Sequence, residues 1–380
     1  MSKNSNLHNA KRAKQDEFYT QWVDIEKEMN AYLDYNPDVF RDKTILLPCD
    51  DPEWSNFTKY FALRFQDYGI KKLISTSYAP KSNMNGAFYI PRESLFFEDK
   101  FDKDKDFERG KIFVLDGQDV NQDGRVNIED FTWEYLEGDG DFRSEEITAL
   151  RDEADMVITN PPFSLFREFV AWLEEGEVEY SIIGSMNAIT YKEIFPLIKD
   201  NKMWVGSGGI KSMKYEVPLI GEILKSQYEE NGKRYQNMGN TCWFSNIQHG
   251  KRHQPIPLMS MEDNLRFNKR IMKNPNAYKK YDNYDAIEVP VTAGIPSDYE
   301  GIMGVPISFL DKYSPEQFEI VGIAKRGAGD PALKTKVYRK EEYANYSDLN
   351  AGPVIIKDGT PRNTYPRILI QHKLPNPKEK

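Results

Sequence analysis

The stretch from Asp155 to Leu173 limits this chain to a small set of folds. Met156-Val157-Ile158 is apolar and short enough for a buried strand, Asn160-Pro161-Pro162-Phe163 continues neither strand nor helix, and Ser164 to Leu173 has helical apolar spacing. Strand, rigid loop, helix is the repeating unit of a parallel sheet. The two prolines fix φ and remove two backbone donors, so the loop offers carbonyl oxygens, one side-chain amide and an aromatic ring. An exocyclic amino group on a planar base fits such a pocket, with Phe163 stacked over it. The plain alternative is a proline-capped turn ahead of a helix.

The same unit recurs upstream. Lys43 to Cys49 reads as a buried strand, runs into Asp50-Asp51-Pro52, and is followed by a helix that starts at Ser55-Asn56. Lys71 to Ser77, Tyr180 to Ser185 and Lys202 to Gly206 are further strands. Residues 40–206 therefore predict an α/β fold on a mostly parallel sheet, with ligands at the carboxyl ends of its strands. The turn after Cys49 has no glycine and cannot cradle a phosphate. Its carboxylates, Asp50 and Asp51, suit an ammonium group or ribose hydroxyls; an ordinary helix-capping turn is the other reading. In Gly138-Asp139-Gly140-Asp141-Phe142 the glycines let the backbone approach a ligand closely. Asp141 bonding an adenine amino group, with Phe142 against the ring, is one reading; a flexible acidic loop is the other.

Residues 98–131 are highly charged and read as a surface insertion. Within them Asp119, Asn121 and Asp123 stand at positions one, three and five, Gly124 at six, the aliphatic Val126 at eight, and Asp130 at twelve. That is the spacing of a calcium loop, weakened by Asp in place of Glu at the last position and by the lack of a flanking helix pair. From 207 the strand–helix alternation gives way to aromatics interleaved with charge, which predicts an irregular module over 207–300. Such interleaving suits phosphate contact and base stacking, or a loop-rich structural lobe. Residues 301–380 hold further strands that complete or pack on the fold.

A net charge of −9 argues weakly against nucleic acid, yet phosphate binding depends on where Lys and Arg cluster, as at Lys251-Arg252, Lys269-Arg270 and Lys279-Lys280. The chain has no apolar run of about 18 residues and a polar start, so neither a membrane span nor secretion is expected, and a cytoplasmic location is. Cys49 and Cys242 lie far apart and read as two free thiols.

Several ordered blocks then point to one family. Asp16-Glu17-Phe18-Tyr19-Thr20-Gln21, Cys49-Asp50-Asp51-Pro52 with Ser55-Asn56-Phe57, Gly138 to Ser144, and Thr159-Asn160-Pro161-Pro162-Phe163-Ser164-Leu165-Phe166-Arg167-Glu168 carry the likeness, with Ile189 to Glu193, Lys279 to Ala286, Gly304 to Ile307, Pro315 to Glu319 and Arg367 to Ile370. Over nearly its full length the chain resembles the EcoRI-type adenine-specific DNA methyltransferases. The resemblance implies a Rossmann-like methyltransferase sheet with helices on both faces, plus a smaller irregular DNA-recognition module. It implies residues 1–206 as the catalytic domain, 207–300 as the target-recognition module and 301–380 as the remainder. It implies S-adenosylmethionine as methyl donor and the N6 amino group of adenine in double-stranded DNA as acceptor, reached by base flipping. Phe18, Tyr19 and Thr20 would contact the methionine end of the cofactor, Cys49, Asp50 and Asp51 would replace a glycine-rich loop, and Asp141 and Phe142 would hold the adenine. Asn160 and the Pro161 carbonyl would accept from the target amino group, beside Pro162, with Phe163 stacked on the flipped base. A restriction nuclease acting on the same site, not necessarily in contact, is the expected partner, and GAATTC is one candidate sequence. Competing readings are methylation of RNA adenine or a protein glutamine amide, a catalytically silent DNA-binding protein, and a calcium-regulated module built on 119–130.

Overall fold

A computed structural model describes residues 19–51, 55–79, 102–217, 223 and 225–373. They form a mixed α/β protein of two compact units: Met1–Met186 with Gly206–His249, and Asn187–Val205 with Gly250–Lys380.

The larger unit is built on one sheet. Its strands are β1 (Tyr19–Thr20), β2 (Thr44–Leu47), β3 (Lys72–Ser77), β4 (Lys111–Leu115), β5 (Thr132–Tyr135), β6 (Met156–Thr159) and β7 (Glu179–Ser185). After β8 (Trp204–Val205), which falls in the smaller unit, come β9 (Lys211–Val217), β10 (Gln227–Glu230) and β11 (Lys233–Ser245). The order is β1-β9-β11-β7-β6-β2-β3-β4-β5, with β10 paired to β11. Only the centre, β7-β6-β2-β3, is parallel; the strands on either side join antiparallel. The sheet is thus mixed rather than mostly parallel.

The central strands are apolar without alternation because both faces are covered. Every residue of β2 and β6 is buried. Ile45, Leu47, Met156 and Ile158 share a core with Ile25 and Met29 of α1 (Trp22–Tyr35) and with Phe57 and Phe61 of α2 (Asn56–Leu63). Leu46 and Val157, one residue out of phase, point to the other face. There lie α3 (Glu145–Glu153), capped by Ser144 accepting from Ile147 N–H at 3.2 Å, and α4 (Phe166–Glu175). A Cβ at Gly184 of β7 would stand 2.4 Å from the Phe166 ring, so that position admits no side chain.

Residues 102–131 are not confined to the surface. Phe113 of β4 pairs with Trp133 of β5, and both belong with Phe131 to the buried core. The 119–130 loop between these strands corrects the calcium expectation. Asp119 accepts from the N–H groups of Asp123 (3.1 Å) and Gly124 (2.8 Å), Asn121 from Asp123 (3.0 Å), and Asp123 from Arg125 (2.8 Å). Buried Asp130 accepts from Val120 (2.9 Å) and from Asn127 (2.8 Å), closing a capping box. Its carboxylates serve the loop's own backbone, and among the described residues no group of three His, Cys, Asp or Glu side chains could hold a metal ion. The segment after 207 is also more regular than its sequence suggests. Thr241 to Ser245 of β11, with Trp243 and Phe244, pair with β7 and are buried, while Tyr228, Glu229, Glu230, Lys233, Arg234 and Tyr235 belong to the β10–β11 hairpin.

The smaller unit takes α5 (Phe195–Lys199) and β8 from the chain between β7 and β9. Its main sheet runs β12 (Ile287–Glu288), β13 (Met303–Pro306), β17 (Arg367–His372), β14 (Phe318–Ala324), and β15 (Val354–Lys357) pairs with β16 (Thr360–Asn363). Of the further strands expected in 301–380, those at 318–323 and 367–370 are present as β14 and β17, whereas the one read over 301–310 is cut to Met303–Pro306 because Ile307–Lys312 turns into a 3-10 helix. In its interior Arg367 grips Glu288 at 2.7 and 3.1 Å, and the Tyr281 hydroxyl donates to the same carboxylate. Among the described residues no helix is long and apolar enough to cross a membrane.

Candidate active site

Parallel strands end on one edge, and β6, β2 and β3 deliver their loops there side by side. The turn after β2 centres on Asp50, which is 5% exposed. Its N–H donates to the Thr76 carbonyl at 2.9 Å, beside the end of β3, and its own carbonyl accepts from the Thr58 hydroxyl (3.2 Å) and the Ser75 hydroxyl. Its carboxylate accepts from Ser55 Oγ at 2.6 Å on one oxygen and from Thr159 Oγ1 at 2.6 Å on the other. Ser55 in turn caps α2 by accepting from Phe57 N–H at 3.0 Å. Burial pushes the Asp50 carboxyl up to about 6, against the pull of the two hydroxyls, and Asp51 adds to the rise. Burial, then the neighbouring Asp50, also pushes the Cys49 thiol up.

Thr159 is the last residue of β6 and is fully buried. Asn160 follows half-buried, Pro161 is buried, and Pro162 and Phe163 are half-buried. The Pro162 carbonyl accepts from Leu165 N–H at 2.9 Å, which folds Phe163–Leu165 into a 3-10 turn leading into α4. Phe163 packs against the main core.

Two further segments reach the same edge. The Ala79 N–H, just past β3, donates to the Asp139 carbonyl at 2.7 Å. Gly140 has φ of +81° and lies so close to Ser77 that a Cβ would stand 2.3 Å from its carbonyl oxygen, so only glycine fits. Asp141 is held by Arg143 through both oxygens, at 2.9 and 2.6 Å, and Arg143 bonds Glu168 of α4 at 3.0 Å. The Arg143 hydrogen bonds hold the Asp141 carboxyl below its ordinary value. Phe142 is buried against Phe169 and Trp172, with centroids 4.9 and 5.6 Å away, so its ring anchors this loop on α4. Thr20 of β1 is buried, and its carbonyl accepts from the Asn56 side chain of α2 at 2.8 Å. Tyr19 pairs with Glu216 of β9; Phe18 and Pro52 lie outside the described residues.

The edge therefore gathers Thr20, Cys49 to Asp51, Asp141 and Asn160 to Phe163. The turn lacks a phosphate cradle and presents half-buried Asp51, and the Gly140 backbone approaches closely. That donor set fits a ligand with cationic and hydroxyl groups. Sequence reasoning missed the connectors: Thr159, Ser55, Asn56 and Arg143 were not among the expected site residues. Thr159 had one signal, a hydroxyl ending an otherwise apolar strand.

Comparison with known proteins gives the chain a family. Residues 6–373 match the family described as Adenine-specific methyltransferase EcoRI. The chain is 40% identical over 329 residues to Type II methyltransferase M.EcoRI of Escherichia coli, covering 85% of this chain and 90% of that protein. It is 29% identical over 372 residues to Type II methyltransferase M.MpnI of Mycoplasma pneumoniae, covering 97% and 98%. No solved structure matches. With the match running from residue 6 to residue 373, the chain belongs to the EcoRI family of adenine-specific methyltransferases.

Proposed function

We propose that this chain, a site-specific adenine methyltransferase by family, works on duplex DNA through Asn160 to Phe163, with S-adenosylmethionine held along the turn of Cys49 to Asp51, the strand Tyr19–Thr20 and the loop at Asp141. The parallel centre β7-β6-β2-β3 is read as a Rossmann-like methyltransferase sheet. The observation that supports this most is the Thr159–Asp50 bond, which ties the tetrad to the cofactor-side turn.

S-adenosylmethionine, when bound, supplies a methyl group on a sulfonium. The amino nitrogen of adenine is a poor nucleophile because its lone pair is delocalised into the ring. Hydrogen bonds to the Asn160 side chain and the Pro161 carbonyl favour a tetrahedral nitrogen and aim its lone pair at the methyl carbon. Held in this way the nitrogen would take the methyl group as its bond to sulfur is given up, and the surplus proton would leave the nitrogen for solvent. No strong general base is required, so the rate comes from positioning and preorganised hydrogen bonds. Flipping the base out of the duplex costs a few kcal/mol, offset by stacking on Phe163.

Recognition is assigned to exposed parts of 207–300. Lys214 of β9 lies 3.8 Å from the ring centroid of Tyr235 on β11 and 5.5 Å from that of Tyr228 on β10. In the smaller unit Lys269, Arg270 and Lys273 are exposed beside Phe267 and Met272. A restriction nuclease sharing the target sequence is the expected functional partner. Labelled-methyl transfer to duplex DNA, RNA and bulk protein tests the reading: label on adenine of duplex DNA is expected. Asn160→Ala is expected to abolish transfer and leave DNA binding intact; a near wild-type rate in that variant would refute the assignment.

A further inference from the structure

Asp50 sits where three loops meet, yet its side chain turns inward. Both carboxylate oxygens are engaged by protein hydroxyls at 2.6 Å, its N–H and carbonyl are bonded to groups on β3 and α2, and it is 5% exposed. A ligand at this edge finds half-buried Asp51 more accessible than Asp50. The route through Asp50 is continuous: the α2 N-terminus caps on Ser55, Ser55 donates to Asp50, and Thr159 donates to Asp50 from the residue bonded to Asn160. A donor–acceptor chain this short leaves little freedom for Asn160 to shift relative to the cofactor-side turn.

We propose that Asp50 is a positioning residue that sets Asn160 in register with the cofactor turn through Thr159, rather than a cofactor ligand. The inference rests on reading Asn160 to Phe163 as the pocket for the target base. Transfer needs the amino nitrogen and the methyl carbon in line, and a misplacement of about 1 Å costs about a hundredfold in rate. Thr159 hands its orientation to Asn160 along the backbone, so removing its hydroxyl frees the tetrad while leaving the cofactor's own contacts alone.

The test compares Asp50→Asn, Thr159→Val and Thr159→Ser in the full chain. Calorimetry gives the affinity for S-adenosylmethionine, and single-turnover labelling of unmethylated genomic DNA gives the rate; circular dichroism confirms folding. Thr159→Val keeps the size of the side chain and is expected to lower the single-turnover rate by about 10- to 100-fold with cofactor affinity unchanged. Thr159→Ser, which retains the hydroxyl, is expected to recover most of it. Asp50→Asn is expected to lose rate likewise, and the double variant Asp50→Asn with Thr159→Val to fall little below the worse single one, as for residues in one network. Weakened cofactor binding in Asp50→Asn with an unchanged rate would make it a ligand and overturn the proposal, as would additive losses or full activity in Thr159→Val. Failure of the functional reading is separate: the wild-type chain would then label RNA or protein instead of DNA, and the variants would be measured on that acceptor.

Discussion

The Asp50 carboxyl is the residue whose titration has the widest consequences. It binds its proton more tightly folded, at about 6, than unfolded, where an aspartate titrates near 3.9. Stability contributed by this group is therefore full below about pH 4 and is lost as pH rises through about 6. Methyl transfer runs the other way, because only the ionised carboxylate accepts from both Ser55 and Thr159. Charged or titratable neighbours are Asp51 and Cys49, with Asp141 and its partner Arg143 near Cys49. The single-turnover rate is expected to climb through about pH 6, while chemical denaturation shows wild type losing stability over pH 4 to 6 relative to Asp50→Asn. Gly140 gives a second residue-level prediction. Gly140→Ala forces a Cβ against the Ser77 carbonyl at a left-handed φ, so the loop must move. A stability loss of about 1–3 kcal/mol in thermal unfolding, with weaker cofactor binding in calorimetry, is expected.

At the scale of elements, the parallel strands were legible because burial on both faces leaves uninterrupted apolar runs such as Thr44 to Leu47 and Met156 to Thr159. The tetrad was legible because two prolines leave few backbone options. The antiparallel wings were not. Lys111 to Leu115 is a short apolar run inside a charged stretch, and its Phe113 and Leu115 reach the core. Thr241 to Ser245 escaped notice because the hairpin leading into it is polar and aromatic. The 119–130 loop shows how a ligand-like spacing arises for another reason: Asp and Asn two residues ahead of a backbone N–H close tight turns on themselves. Addition of calcium is expected to leave the unfolding temperature unchanged. Ser144→Ala, which removes the cap of α3, is expected to cost about 1 kcal/mol in chemical denaturation.

For the whole molecule, a net charge of −9 must coexist with a polyanionic substrate. Many cations are already committed: Lys233 to Glu216, Arg234 to Glu229, Lys251 to Asp311, Lys336 to Asp282. Exposed Lys269, Arg270 and Lys273 are the group proposed to answer phosphates. Lys269→Ala with Arg270→Ala is expected to weaken duplex binding at all sequences and to flatten its dependence on salt by about two units of log–log slope, read by fluorescence anisotropy across a salt series.

The chain enters the smaller unit after Met186, returns at Gly206 and leaves again after His249. Neither unit is therefore a contiguous gene segment. A cut near residue 206, where the sequence texture changes, would strip β9 and β11 from the larger sheet and bare the edge of β7. A single exchange at residue 206 would therefore divide both units at once, whereas a swap between relatives that keeps each unit whole has to carry all three crossing points together.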